Sequence, residues 1–150
     1  MSDHTGLTGA TVTDVMSHPV FTVRGDVTLV QALGAMVATG RRHLAVVDSE
    51  GRCLGVVVDR AVAAALADDP GVLEHRRIRQ LLDDRPSLVG ADATVGDVAR
   101  RMYADAVDAV AVIDRHGCPI GMVTGGDLIR LMAQAIPAPP IARLKEGRPA

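Results

Sequence analysis

Thr124 and Asp127 stand three residues apart at the end of the stretch Gly121-Met122-Val123-Thr124-Gly125-Gly126-Asp127. A hydroxyl and a carboxylate at that spacing can close a capping box, each satisfying an orphan backbone N–H at a helix start. Facing a cleft, the same two groups can instead take hydrogen bonds from a vicinal diol such as a ribose, work that an acidic residue does in other nucleotide folds. On this stretch alone both readings stay open. Other residues capable of chemistry are scattered. Ser17, Ser49 and Ser87 lack a companion His and acid, and Cys53 and Cys118 fall in apolar strands or turns without an activating group, so no catalytic residue is assigned and no enzyme is expected. No two histidines share metal-ligand spacing on one helix or strand, so no metal is assigned.

The scaffold for these groups must come from aliphatic side chains. At 150 residues, 48 % hydrophobic and 23 % charged, the chain can bury the core of one domain, or of two small halves that share one. Phe21 and Tyr103 are its only aromatic residues, which leaves no platform for stacking single-stranded bases. A net charge of −2 argues against a general DNA-binding face but leaves small anions open. The two cysteines form no disulfide framework and fit a reducing compartment. Residues 1–11 show no signal-peptide pattern, and no apolar run approaches the roughly 18 residues of a membrane helix, so a cytoplasmic protein is expected.

The elements come twice. Val12 to Met16 reads as a short turn or helix, and a strand follows Pro19 at residues 20–23. Asp26 and Thr28 supply turn and cap chemistry for a helix with Leu29, Ala32, Leu33, Met36 and Val37 on one face, stopped at Gly40. The runs 44–47 and 53–58 flank the turn Asp48-Ser49-Glu50-Gly51 as a hairpin, and an Ala-rich helix, capped by Asp59 or its neighbour, reaches Ala67. Asp26, Thr28, Met36, Asp48, Gly51 and Gly55 then return as Asp92, Thr94, Met102, Asp114, Gly117 and Gly121, a constant offset of 66 residues. Two β-α-β-β-α units at 12–67 and 78–136 are expected, joined by a linker at 68–77 and flanked by a flexible N-terminus (1–11) and a Pro-rich flexible tail (137–150). Halves this small bury too little alone, so an α/β (α+β) fold with the units packed about a pseudo-twofold axis follows.

The duplicated order resembles the CBS-domain pair, or Bateman module. The first copy has Asp14-Val15-Met16-x-x-Pro19-Val20, Asp26-x-Thr28-Leu29, Leu44-x-Val46-Val47-Asp48-x-x-Gly51 and Gly55-Val56-Val57; the second has Asp92-x-Thr94-Val95, Val112-x-Asp114-x-x-Gly117 and the stretch ending at Asp127. The resemblance implies a regulatory module for AMP, ADP, ATP or S-adenosylmethionine, homodimeric, acting on another protein, with no resident cofactor. It implies a ribose site at Met122, Thr124 and Asp127, a base pocket at Pro19, Val20 and Ala45, and phosphate contacts from Arg41, Arg42 and His43. At the related second cleft, Val58 and Ala61 replace Thr124 and Asp127, while Asp108 and Ala109 replace Arg42 and His43, so one ligand per chain is expected. The apolar excess of the last helix (Leu128, Ile129, Leu131, Met132, Ala135, Ile136) suggests packing against a second chain. A ligand-free interaction module is the alternative.

Overall fold

In the computed structural model, which describes residues 5–137 and 140, the chain runs α1 (Thr5–Thr8), α2 (Val12–Val15), β1 (Thr22–Arg24), α3 (Leu29–Thr39), β2 (His43–Val47), β3 (Cys53–Val58), α4 (Asp59–Asp68) and α5 (Val72–His75). A 3-10 turn, Ile78–Leu81, leads into β4 (Leu88–Gly90), α6 (Val95–Asp105), β5 (Ala109–Ile113), β6 (Pro119–Thr124) and α7 (Gly125–Ala135).

Local chemistry is repeated along with the elements. Thr28 Oγ1 accepts the Gln31 N–H at 3.2 Å while Gln31 Oε1 accepts the Thr28 N–H at 2.9 Å, and Thr94 with Asp97 makes the same reciprocal pair. These boxes open α3 and α6. In the hairpin turns, Asp48 Oδ1 accepts the N–H groups of Glu50 and Arg52, and Asp114 Oδ1 those of His116 and Cys118. The Arg52 and Cys118 N–H groups hold the two carboxyls below the usual carboxylate range. Each unit is a three-stranded sheet in which the first strand is parallel and the third antiparallel to the middle one, with Thr22 opposite Ala45 and Leu88 opposite Ala111. The strand expected at 20–23 begins two residues later, which leaves Val20 and Phe21 ahead of it.

The two units trade their leading segments. The Val12 N–H donates to Ala93 O (2.9 Å) and the Val95 N–H to Ala10 O (2.8 Å); the counterpart bonds are Ile78 N–H to Val27 O (2.9 Å) and Leu29 N–H to Arg76 O (3.1 Å). Val12 is consequently buried among Val89, Val98, Val110 and Val123 of the second unit, and Ile78 among Leu29, Met36, Leu44 and Val57 of the first. A third cluster of mostly small residues, with Ala45, Cys53, Ala109, Ala111 and Met122, joins the two sheets. Small side chains permit that close approach.

Two stretches outside the units hold structure. Residues 5–8 of the expected flexible N-terminus form α1, which lies against α6 and α7. The expected linker contains α5, whose Val72 is buried in the first core. Most of the expected tail, 138–139 and 141–150, lies outside the described residues. Among the described residues no helix is long and apolar enough to cross a membrane.

One repeated position departs from its copy. α3 ends at Gly40 with φ 66°, whereas α6 ends at Ala106 with φ 53°, a left-handed conformation that a Cβ disfavours by roughly 1–2 kcal/mol. Ala106→Gly is expected to stabilise the fold by about 1 kcal/mol and to raise the thermal midpoint by about 2–4 °C. A midpoint that stays put or falls in differential scanning calorimetry would refute that account of the α6 terminus.

Candidate functional site

Because α2 is buried in the opposite unit, the chain after it must cross the molecule. Ser17 pairs with Met122 on the way, its N–H donating to Met122 O (2.8 Å) and its carbonyl accepting the Met122 N–H (3.1 Å). This antiparallel bridge sets Pro19, Val20 and Phe21 beside the end of β6. Between them lies a cavity of about 520 Å³, within the range of small-molecule sites. Its floor is Met122, Thr124, Gly125 and Gly126, with Ile129 beyond; its rim is Gly40, Arg41, Arg42, His43 and Asp108.

Seven residues named from the sequence therefore line one cavity: Pro19, Val20, Arg41, Arg42, His43, Met122 and Thr124. Two others do not line it. Ala45 is fully buried as the middle residue of the middle strand and faces the seam between the sheets. Asp127 has a side chain only 6 % exposed, because its Oδ2 accepts the Thr124 N–H (2.8 Å) and the Thr124 hydroxyl proton (3.2 Å), while Oδ1 lies 3.6 Å from Arg130 Nη1. The carboxylate thus caps α7. Since the Thr124 hydroxyl gives its proton to Asp127, its oxygen keeps lone pairs free to accept from a group in the cavity.

Each basic side chain at the rim already has a protein partner. The Arg41 guanidinium sits 5.4 Å from the centre of the Phe21 ring, a cation–π contact. Arg42 Nε donates to Asp59 Oδ2 at 3.0 Å, and that bond holds the Asp59 carboxyl below the usual carboxylate range. His43 Nε2 lies 3.2 Å from Asp108 Oδ1; a carboxylate only accepts, so this nitrogen carries the proton. Asp59 was expected to cap α4. The cap position belongs to Val58, and Asp59 in the first turn serves Arg42 and the Arg60 N–H instead.

The pseudo-symmetric cleft is smaller, about 200 Å³, and is lined by Val58, Ala61, Asp108 and Ala109, the four residues expected to deprive it of ribose and phosphate partners. His43 and Asp108 line both cavities. Sequence reasoning missed Phe21, Ser17 and Asp108 in the larger one. Phe21 adjoins Pro19 and Val20 and is one of two aromatic residues in the chain, which was a usable signal. The reach of Asp108 across the seam had none. Among the described residues no group of His, Cys, Asp and Glu is placed to hold a metal ion.

The CBS domain family model matches this chain twice, at residues 12–68 and 78–134. A CBS domain-containing protein of Dictyostelium discoideum is 30 % identical over 140 residues, covering 86 % of this chain and 96 % of that protein. The homoserine O-acetyltransferase of Methanohalophilus mahii is 28 % identical over 124 residues, which cover 83 % of this chain but only 25 % of that enzyme. Among solved structures, a CBS domain pair in complex with 5′-methylthioadenosine and S-adenosyl-L-methionine is similar at TM-score 0.74 and 25 % identity, covering 83 % of this chain and 97 % of that one. CBSX2 in complex with AMP is similar at TM-score 0.70 and 25 % identity, covering 84 % and 98 %.

The cap at α7 makes its own prediction. Asp127→Ala removes the acceptor of both Thr124 protons and is expected to cost about 1 kcal/mol, whereas Asp127→Asn keeps a carbonyl oxygen there and costs a fraction of that. Urea titrations of the two variants and the parent at pH 7 check it, and equal midpoints for Asp127→Ala and the parent would sink it.

Proposed function

Because the chain belongs to the CBS-domain family, we propose that it is a regulatory module that binds an adenosine-containing ligand in the cleft between its repeats and signals to a partner protein. The observation that carries this reading is the 520 Å³ cavity, which joins Thr124 and the start of α7 from one repeat to Pro19, Val20, Arg41, Arg42 and His43 from the other. Solved relatives hold 5′-methylthioadenosine, S-adenosylmethionine or AMP. In the proposed pose the ribose lies against Thr124, fixed from behind by Asp127. The base enters between Val20, Met122 and Phe21, and the 5′ substituent points to Arg41, Arg42 and His43. Ala45 acts only indirectly, as the small residue that lets the sheets meet.

One ligand binds per chain, since the second cleft is small and carries Val58 and Ala61 where the first has its polar pair. We assign no catalytic residue, metal or resident cofactor. The exposed Ile129 and Met132 of α7, with Ile136 just past its end, support a homodimer built through that helix. The unpaired Cys53 and Cys118 favour the cytoplasm. One observation favours the rival reading of a ligand-free interaction module, namely that Asp127, Arg41, Arg42 and His43 already have protein partners.

Calorimetric titration with AMP, ADP, ATP and S-adenosylmethionine separates the two. The expected result is saturable binding of at least one of them near one per chain, weakened at least tenfold in Asp127→Ala, which leaves the Thr124 hydroxyl without the acceptor that orients it. Failure of the parent protein to bind any of the four overturns the sensor reading in favour of the interaction module.

A further inference from the structure

Asp108 occupies, in the second repeat, the position that Arg42 holds in the first, and the backbone keeps the symmetry. Arg42 O accepts the Asp59 N–H and Asp108 O accepts the Gly125 N–H, each at 2.9 Å, so both residues sit where a chain meets the start of a helix. Only the side chains differ, and the difference reverses the charge. Asp108 does not stay within its own repeat. It reaches across the seam to His43 Nε2 at 3.2 Å and to Arg60 Nη2 at 3.6 Å, and it lines the larger cavity beside Arg41 and Arg42.

The charged groups at the rim and beside it come from both repeats. Arg41 and Arg42 come from the turn after α3, Asp59 and Arg60 from α4, and Asp108 from the turn after α6. Arg42 is paired with Asp59, and Arg60 is shared with Asp108. His43, which also lines the cavity, points its Nε2 proton at Asp108. A phosphate chain placed here must compete with Asp108 for His43, while Arg42 can keep its Nε–Asp59 bond and offer its Nη groups. Asp108, 55 % exposed, remains facing it as a like charge. A neutral or cationic 5′ substituent meets no such opposition, and a cation gains from it.

Building on the adenosine-binding reading, we propose that Asp108 is the specificity-determining residue of the cleft, and that the ligand is an adenosine compound whose 5′ substituent carries no net negative charge. A neutral thioether and a sulfonium both meet that description. They differ in whether Asp108 contributes attraction or is merely not opposed.

The test titrates the parent and Asp108→Asn with 5′-methylthioadenosine, S-adenosylmethionine, AMP and ATP, at pH 7.5 and low salt in the presence of a chelator. In the parent, the better of the two sulfur ligands is expected to bind at least tenfold more tightly than ATP. In Asp108→Asn the affinity ratio of ATP to 5′-methylthioadenosine is expected to rise at least tenfold, and the gain to shrink at 0.5 M salt, about where screening reaches a few ångströms. If S-adenosylmethionine is the ligand, its own ratio to 5′-methylthioadenosine falls in the variant; if the thioether is, that ratio holds. Asp108→Ser repeats the comparison should the amide lower the thermal midpoint. A parent that prefers ATP, or an ATP ratio unmoved in both variants, overturns the assignment while leaving adenosine binding intact. Binding of none of the four by any of the three proteins overturns the adenosine reading itself, and the assignment with it.

Discussion

The contact on which everything else depends is the exchange of leading segments. α2 is carried by the first repeat and buried in the second, the Ile78–Leu81 turn is carried by the second and buried in the first, and two matched backbone hydrogen bonds pin each. Burying Val12 and Ile78 contributes on the order of 1.5–3 kcal/mol apiece, and neither repeat supplies that burial to itself. The exchange also creates the cleft. A chain anchored in the far core by Val12 must cross back over β6 to reach β1, and the crossing lays Pro19, Val20 and Phe21 against Met122 and Thr124. One wall and one floor thus come from different repeats, so anything that loosens the exchange loosens the site.

Symmetry in the backbone and asymmetry in the side chains divide the labour between scaffold and chemistry. The capping boxes of α3 and α6, the hairpin turns, the strand register and the bulge in each third strand recur at matching positions. Thr124 against Val58, Asp127 against Ala61 and Arg42 against Asp108 do not match. These substitutions sit at strand ends and helix starts, at or beside the two cavities rather than in the cores. Apolar positions, by contrast, are held to their type because both cores must close.

That division explains what could be read from the sequence. The repeat, its order of elements, the capping boxes at Thr28 and Thr94 and the Asp-x-x-Gly turns are local patterns, legible in a stretch of a dozen residues. So was the asymmetry of the clefts, since it lies in the identity of aligned positions. The exchange was not legible, because Val12 and Ile78 are apolar whichever core receives them. α5 was overlooked because Pro70-Gly71 and a basic run mask the Val72-Leu73 pair that anchors it. At the site, residue types indicated Arg42, His43 and Asp127 as groups for a ligand. The Thr124–Asp127 pair was legible as one of two readings of its spacing, whereas the pairing of Arg42 with Asp59 and of His43 with Asp108 depends on distances between residues far apart in sequence, which spacing does not encode.

Asp127 shows why the two readings of Thr-x-x-Asp need not compete. As a cap it holds the first turn of α7 closed, and by taking the Thr124 proton it also fixes which way the hydroxyl oxygen presents its lone pairs. A group oriented in this way before a ligand arrives requires little ordering when one binds. Under the proposed function, the ribose end of the cleft is then the rigid end, and movement must come from the rim. A ligand that draws Arg42 from Asp59 frees the first turn of α4, and one that draws Asp108 from Arg60 frees the same turn from the other side. Both ion pairs converge on the first turn of α4, so a change of partners at the rim acts directly on that helix.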